Sequence, residues 1–290
     1  MTKTPAVSLP ALPAVLLSIV SVQAGAALAK GLFPLLGAAT TASLRIGLSA
    51  LVLLVVVRPR LGRMRPAQWR AVVPYGLALG LMNLLFYCAL SRVPLGLAVT
   101  VEFIGPLGLA LAGARRWMDV AWAVLAGAGI CLIALWSHHG IDGLGLVFAL
   151  AAGGCWATYI VLSRRTAAVL PGQQGVAVGM LVALLPVLPV GVASGGFSLV
   201  NPHLLLLGAL LALFSSVLPF SLELHALRTM PTRTFSILMS LEPVAAALSG
   251  GLLLHEQLTA GQWLAVACIV AASVGATQTA KRTAPLAAGE

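Results

Sequence analysis

The chain has 290 residues, of which 60% are apolar and only 8% are charged, with a mean hydropathy of +1.04. Seventeen basic and 7 acidic side chains cannot cover a soluble globule of this size. That excludes a soluble enzyme, a nucleic-acid-binding domain and a disordered protein. An all-α integral membrane protein remains.

Gly, Pro and charged residues divide the sequence into ten apolar runs: 11–29, 38–57, 71–90, 95–114, 120–136, 143–162, 176–192, 204–222, 235–254 and 260–277. Each has the length a helix rising 1.5 Å per residue needs to cross about 30 Å of hydrocarbon. In lipid every backbone N–H and C=O needs an internal partner, so the runs are expected to be helices. The alternation of a transmembrane barrel is absent. Lys3, the first run and Ala24-Gly25-Ala26 resemble a cleavable leader, but the n-region holds one Lys, so the run is taken as the first span.

The net charge of +10 lies mostly in the links between runs. With the N-terminus in the cytoplasm, alternation puts fourteen Lys and Arg on the cytoplasmic side: Lys3, Arg58, Arg60, Arg63, Arg65, Arg70, Arg115, Arg116, Arg164, Arg165, Arg228, Arg233, Lys281 and Arg282. Lys30 and Arg92 fall on the other side. This positive-inside bias predicts that both termini are cytoplasmic and that the basic residues face anionic lipid, not nucleic acid.

Ala89-Leu90-Ser91-Arg92-Val93-Pro94 aligns with Ala226-Leu227-Arg228-Thr229-Met230-Pro231 at an offset of 137, which also carries Pro106 onto Pro243 and Asp119 onto Glu256. Two halves of five spans each enter the membrane from opposite sides. The sequence therefore predicts a 5+5 inverted repeat, residues 11–136 and 143–278, followed by a flexible cytoplasmic tail, 279–290. Secondary transporters of this build hold substrate near the midplane between the halves. Glycines such as Gly105, Gly108, Gly113, Gly127, Gly129, Gly153 and Gly154 are expected to let helices approach closely.

An ionisable group at the bilayer centre is costly, and those retained usually face a cavity or a partner. Glu102 and Glu242 sit about seven residues into runs four and nine, which are repeat mates. Arg45 is the one cation within a run. It can snorkel, pair with an internal Glu, or grip a substrate carboxylate opposite Glu102. Gln23, Asn83, Tyr87, Trp156 and Tyr159 are mid-run polar or amphipathic residues that can line the same cavity. Glu223 reads equally as a gate or proton-path carboxylate and as a solvated helix end. Asp119 and Glu256 are expected to cap the helices of runs five and ten. His138, His139, His203, His225 and His255 read as loop or interfacial residues. Cys88, Cys131, Cys155 and Cys268 lie in apolar runs, and neither a disulfide framework nor a metal site is implied.

Longer segments carry a resemblance: Gln23-Ala24-Gly25-Ala26-Ala27-Leu28-Ala29-Lys30, Met82-Asn83-Leu84-Leu85-Phe86-Tyr87, Cys155-Trp156-Ala157, Pro219-Phe220-Ser221-Leu222-Glu223, and Leu227-Arg228-Thr229-Met230-Pro231-Thr232-Arg233-Thr234-Phe235 leading to Leu238-Met239-Ser240-Leu241-Glu242-Pro243. Through these the chain resembles the EamA branch of the drug/metabolite transporter superfamily, and within it the bacterial inner-membrane exporters of threonine and homoserine. The resemblance implies ten helices in two EamA repeats and export of small amino acids driven by the proton gradient. Another metabolite, a nucleobase or a drug is the alternative cargo on the same fold. The motif of a built-in ATPase is absent and no cofactor is implied. An intramembrane enzyme is disfavoured, since His255-Glu256-Gln257 lacks the second His of a zinc protease. Amino-acid substrate, protons and lipid are the expected partners, with a homodimer left open.

Overall fold

The computed structural model describes residues 10–112, 117–135, 142–170, 173–219, 222–223, 226, 230 and 232–279, which are helical and contain no strand. In chain order they form α1 (Ala11–Leu36), α2 (Ala38–Val57), α3 (Pro66–Leu90), α4 (Leu95–Glu102), α5 (Ile104–Leu111), α6 (Trp117–Leu135), α7 (Gly143–Val169) and α8 (Gln174–Ala193). Then come α9 (Pro202–Ala212) with a π-turn at Leu213–Val217, α10 (Thr232–Met239), α11 (Glu242–Leu254) and α12 (Ala260–Thr279). Calls on the tail, on Lys3, Gly113, Arg115, Arg116, His138, His139, His225 and Arg228, and on the side chains of Asp119, Cys131 and Arg233, lie outside the described residues.

Seven helical stretches are long and apolar enough to cross a membrane, and three further apolar helices, Leu95–Leu109, Val120–Gly129 and Pro202–Val217, are shorter. The helices differ from ten equal uninterrupted rods. Runs four and nine are each broken, at Phe103 and at Ser240–Leu241. Pro106 and Pro243 stand just past the breaks. Having no N–H, they cannot donate to the carbonyls of Glu102 and Met239 four residues back. The second break tightens into short turns, with the Ser240 N–H on the Ile237 carbonyl (3.2 Å) and that of Leu241 on Leu238 (2.9 Å).

Several boundaries move outward from the apolar runs. Lys30 lies inside α1, and Arg70, Arg164 and Arg165 lie inside helices rather than loops. Gly37 alone links α1 to α2, at φ 76° and ψ 161°, where a side chain would be strained. Helix starts are capped locally. The Asn201 side chain accepts the Leu204 N–H at 2.9 Å, and Asp142 accepts that of Leu144 at 2.9 Å. Thr259 and Gln262 form a reciprocal cap at the start of α12. Glu256 therefore does not cap its own helix, contrary to the sequence expectation, because Thr259 stands nearer to that helix start.

Helices from the N-terminal and C-terminal parts of the sequence interleave. α7 packs on α3 and on both α4 and α5, while α1 packs on α11 and on the π-turn after α9. α8 packs on α2 and α3, α9 on α2, α4 on α11, and α6 on α12. Many of the residues sealing these contacts are small, Ala29, Ala42, Ala89, Ala98, Ala183 and Ala246 among them. That suits lipid, where close backbone approach replaces the hydrophobic drive. A Cβ on Gly105 would meet the backbone of Gly153, so α5 and α7 touch main chain to main chain. By contrast Gly108, Gly127 and Gly154 have open space at that position, so packing does not explain them. Large apolar side chains face outward, Leu12, Leu16 and Val20 along one stripe of α1 and Val120 and Val124 on α6, as a lipid-facing surface requires.

Candidate functional site: a central cavity between the two halves

A cavity of about 840 Å³ lies among α1, α2, α3, α4, α5, α7, α8, the π-turn, α10, the first residue of α11 and the last turns of α12. Gln23, Arg45, Asn83, Glu102, Trp156, Tyr159, Glu223 and Glu242 all front it, so the structure brings these expected residues together from both halves. Tyr87 does not front it. It is fully buried behind Arg45, whose guanidinium carbon lies 5.1 Å from the ring centroid.

Arg45 is held by that ring and by a hydrogen bond to Asn83 Oδ1. Asn83 is itself oriented by donating through Nδ2 to the Leu79 carbonyl at 2.7 Å. Arg45 forms no ion pair with Glu102, which disposes of direct pairing among the readings open from sequence; the ion pairs among the described residues are Lys30–Glu256 and Arg92–Asp142. Its Nε is buried without a partner. A guanidinium positioned by neutral groups keeps donors for a carboxylate brought from outside.

Glu102 and Glu242 are 6% and 7% exposed and stand at the two helix breaks, the first as the last residue of α4 and the second as the first of α11. A broken helix exposes unpaired backbone groups and a dipole end inside the membrane, the arrangement transporters use for charged cargo. Glu223 accepts a 2.6 Å hydrogen bond from the Ser18 hydroxyl, so it is tied to α1 and is not a freely solvated helix end. On the α7 wall Trp156 meets Phe103 edge-on at 5.6 Å, and Tyr159 stacks on Tyr75 at 5.1 Å.

Sequence reading missed Ser215 and Ser216, which front the cavity from the π-turn. Ser21 donates to the Phe214 carbonyl at 2.6 Å, and Ser215 lies on Gly25, its hydroxyl unpartnered. Two adjacent serines in an apolar run were the available signal. The wall also includes Arg164, read from sequence only as a topology charge. Among the described residues no three His, Cys, Asp or Glu side chains gather as a metal site needs. Cys88, Cys155 and Cys268 are free thiols.

The cavity is lopsided. Its wall draws on 22–26, 99–109, 156–164, 215–223 and 273–277, and so reaches the end of the molecule where Arg164 is exposed. The wall includes no residue from 27–44 or 243–272, toward the opposite end. There Lys30 meets Glu256 at 2.6 Å, and Arg92 meets Asp142 at 2.5 Å. The hydrogen bond from Arg92 holds the exposed Asp142 carboxyl below the usual carboxylate range.

A polytopic helical protein with a charged central cavity and interrupted helices at its glutamates is built as a membrane transporter. The chain belongs to the EamA-like transporter family, whose profile matches residues 143–278, and it is not an enzyme. The threonine/homoserine exporter RhtA of Salmonella typhimurium strain SL1344 is 45% identical over 271 residues, covering 92% of this chain and 91% of its own. RhtA of Escherichia coli K12 is 44% identical over the same coverage. A solved crystal structure, 20% identical, superposes with a TM-score of 0.58 over 92% of this chain and 97% of its own, and shares the fold.

Proposed function

We propose that this chain exports threonine, homoserine and similar small amino acids across the bacterial inner membrane, driven by the proton gradient. The observation that carries the reading is a guanidinium held only by neutral groups and in no ion pair, Arg45, facing the same cavity as Glu102 and Glu242. A zwitterion needs a cation for its carboxylate and an anion for its ammonium. Arg45 serves the first and one of the glutamates the second. Protonation of that glutamate releases the ammonium, and deprotonation readmits it, which couples export to proton entry. Gln23, Trp156, Tyr159 and Glu223 complete the substrate and proton pathway, with Asn83 and Tyr87 positioning Arg45. The extent of identity to the named exporters supports the cargo.

The proposal includes ten spans in an inverted 5+5 repeat with cytoplasmic termini. Neighbour relations support it, since adding five to each span number turns one contact into another. Span 3 on span 6 (α3 on α7) becomes span 8 on span 1 (the π-turn on α1). Span 4 on span 6 becomes span 9 on span 1, and spans 2 and 7, 4 and 9, and 5 and 10 pack on their own mates.

Efflux of labelled threonine and homoserine from proteoliposomes, with and without a pH gradient, tests the reading. Efflux of both, accelerated by inward proton flow, is expected. Efflux indifferent to the gradient removes proton coupling, and no efflux of either amino acid removes the cargo.

A further inference from the structure

We propose that Lys30 and Glu256 are residues of the transport cycle: their ion pair shuts the end of the cavity beyond Val99, and cargo leaves that way only when the pair parts. This rests on the exporter reading only in taking the cavity to open alternately at its two ends.

The pair gathers chain from four places. Lys30, on α1, reaches Glu256 Oε1 at 2.6 Å and also donates to the Val93 carbonyl at 2.6 Å, in the link between α3 and α4. Glu256 Oε2 accepts the N–H of Leu95, the first residue of α4, at 2.7 Å. The Glu256 N–H donates to the Gly250 carbonyl in the last turns of α11 at 3.1 Å. His255 makes this return possible by adopting φ 55°. That is a left-handed conformation for a residue with a side chain, held because the surrounding contacts demand it. Glu256 then folds back over Gly250, where a Cβ would crowd its carboxylate.

These four segments belong to spans 1, 4, 9 and the approach to 10, the same spans whose inner stretches form the cavity wall. The wall stops short of the pair. It includes no residue from 27–44 and none from 243–272. At 22% and 15% side-chain exposure the pair is neither dry nor fully wet. A dry pair locks, because parting strands two charges, and a wet one closes nothing. Partial exposure suits a contact that must form and break in every cycle. The other ion pair at this end, Arg92–Asp142, is 40% and 36% exposed and joins the α3–α4 link to the residue that caps α7. It therefore serves as the control.

The test uses the full chain with Cys88, Cys131, Cys155 and Cys268 replaced and a single reporter, Val99→Cys. A membrane-impermeant maleimide is applied to intact cells or to inside-out vesicles, and labelling is normalised to the protein present in the membrane. The parent should label readily from inside-out vesicles and slowly from cells. Lys30→Met and Glu256→Gln should each raise labelling from cells about fivefold, the shift one partly exposed ion pair supplies. Glu256→Gln keeps an oxygen for the Leu95 N–H, so it removes the charge and leaves the cap. Lys30→Arg should label like the parent, and so should Arg92→Gln. Unchanged labelling from cells in both Lys30→Met and Glu256→Gln overturns the proposal, as does an equal rise in Arg92→Gln. No substrate enters the assay, so a wrong cargo leaves its result intact, and an unshifted result leaves the cargo untouched.

Discussion

Arg45 illustrates how neutral neighbours hold one charged side chain at the cavity wall. Asn83 and the Tyr87 ring aim it without neutralising it. Arg45→Lys keeps the charge but loses the planar fork, so efflux should fall about tenfold or more, with protein level unchanged. Near-parental efflux by this variant shows that the fork grips no carboxylate. Glu242→Gln should fold and insert, since a neutral amide costs less in lipid than a carboxylate. Its gradient-driven export should be abolished, because an amide does not titrate; undiminished proton-coupled export removes Glu242 from the mechanism. At Gly105 the issue is space. A methyl there meets the Gly153 backbone, which cannot swing aside as a side chain can. Gly105→Ala should lower stability by about 1–3 kcal/mol, read as a lowered unfolding midpoint in detergent.

Among the elements, the interrupted helices carry the site. α4–α5 and α10–α11 break beside their glutamates, and a proline follows each break, Pro106 three residues past Phe103 and Pro243 two past Leu241. Pro243→Ala returns a donor to the Met239 carbonyl and lets α10 and α11 become one rod. Expression should hold while the initial efflux rate falls, because a continuous rod resists the rocking that alternating access requires. Efflux unaffected by Pro243→Ala shows that the break serves packing alone.

For the whole molecule, orientation is the deciding property, since the cavity reaches the arginine-bearing end and its wall stops short of the Lys30–Glu256 pair at the other. Reporter fusions should place residues near Arg63 and the C-terminus in the cytoplasm and those near Ser198 outside, following the bias of Lys and Arg. An external C-terminus overturns the ten-span reading, the inverted repeat and the inward opening together.

Membrane character, the two buried glutamates and the prolines beside them are all readable from the chain, because each is a local pattern of hydropathy, charge or backbone chemistry. Helical periodicity also puts polar residues on faces, and most of the residues singled out that way do front the cavity. Periodicity says nothing of which neighbour a face meets. Tyr87 shares a helix with Asn83, yet it supports Arg45 from behind, while Ser215 comes forward because a π-turn rotates its stretch of chain. Ser18 meets Glu223 across 205 residues, and Leu95 meets Glu256 across 161. Lys30 looked like a loop charge and Glu256 like the cap of its own helix. Their pairing depends on where α1, α4 and α11 converge, and only the packed structure brings those ends together.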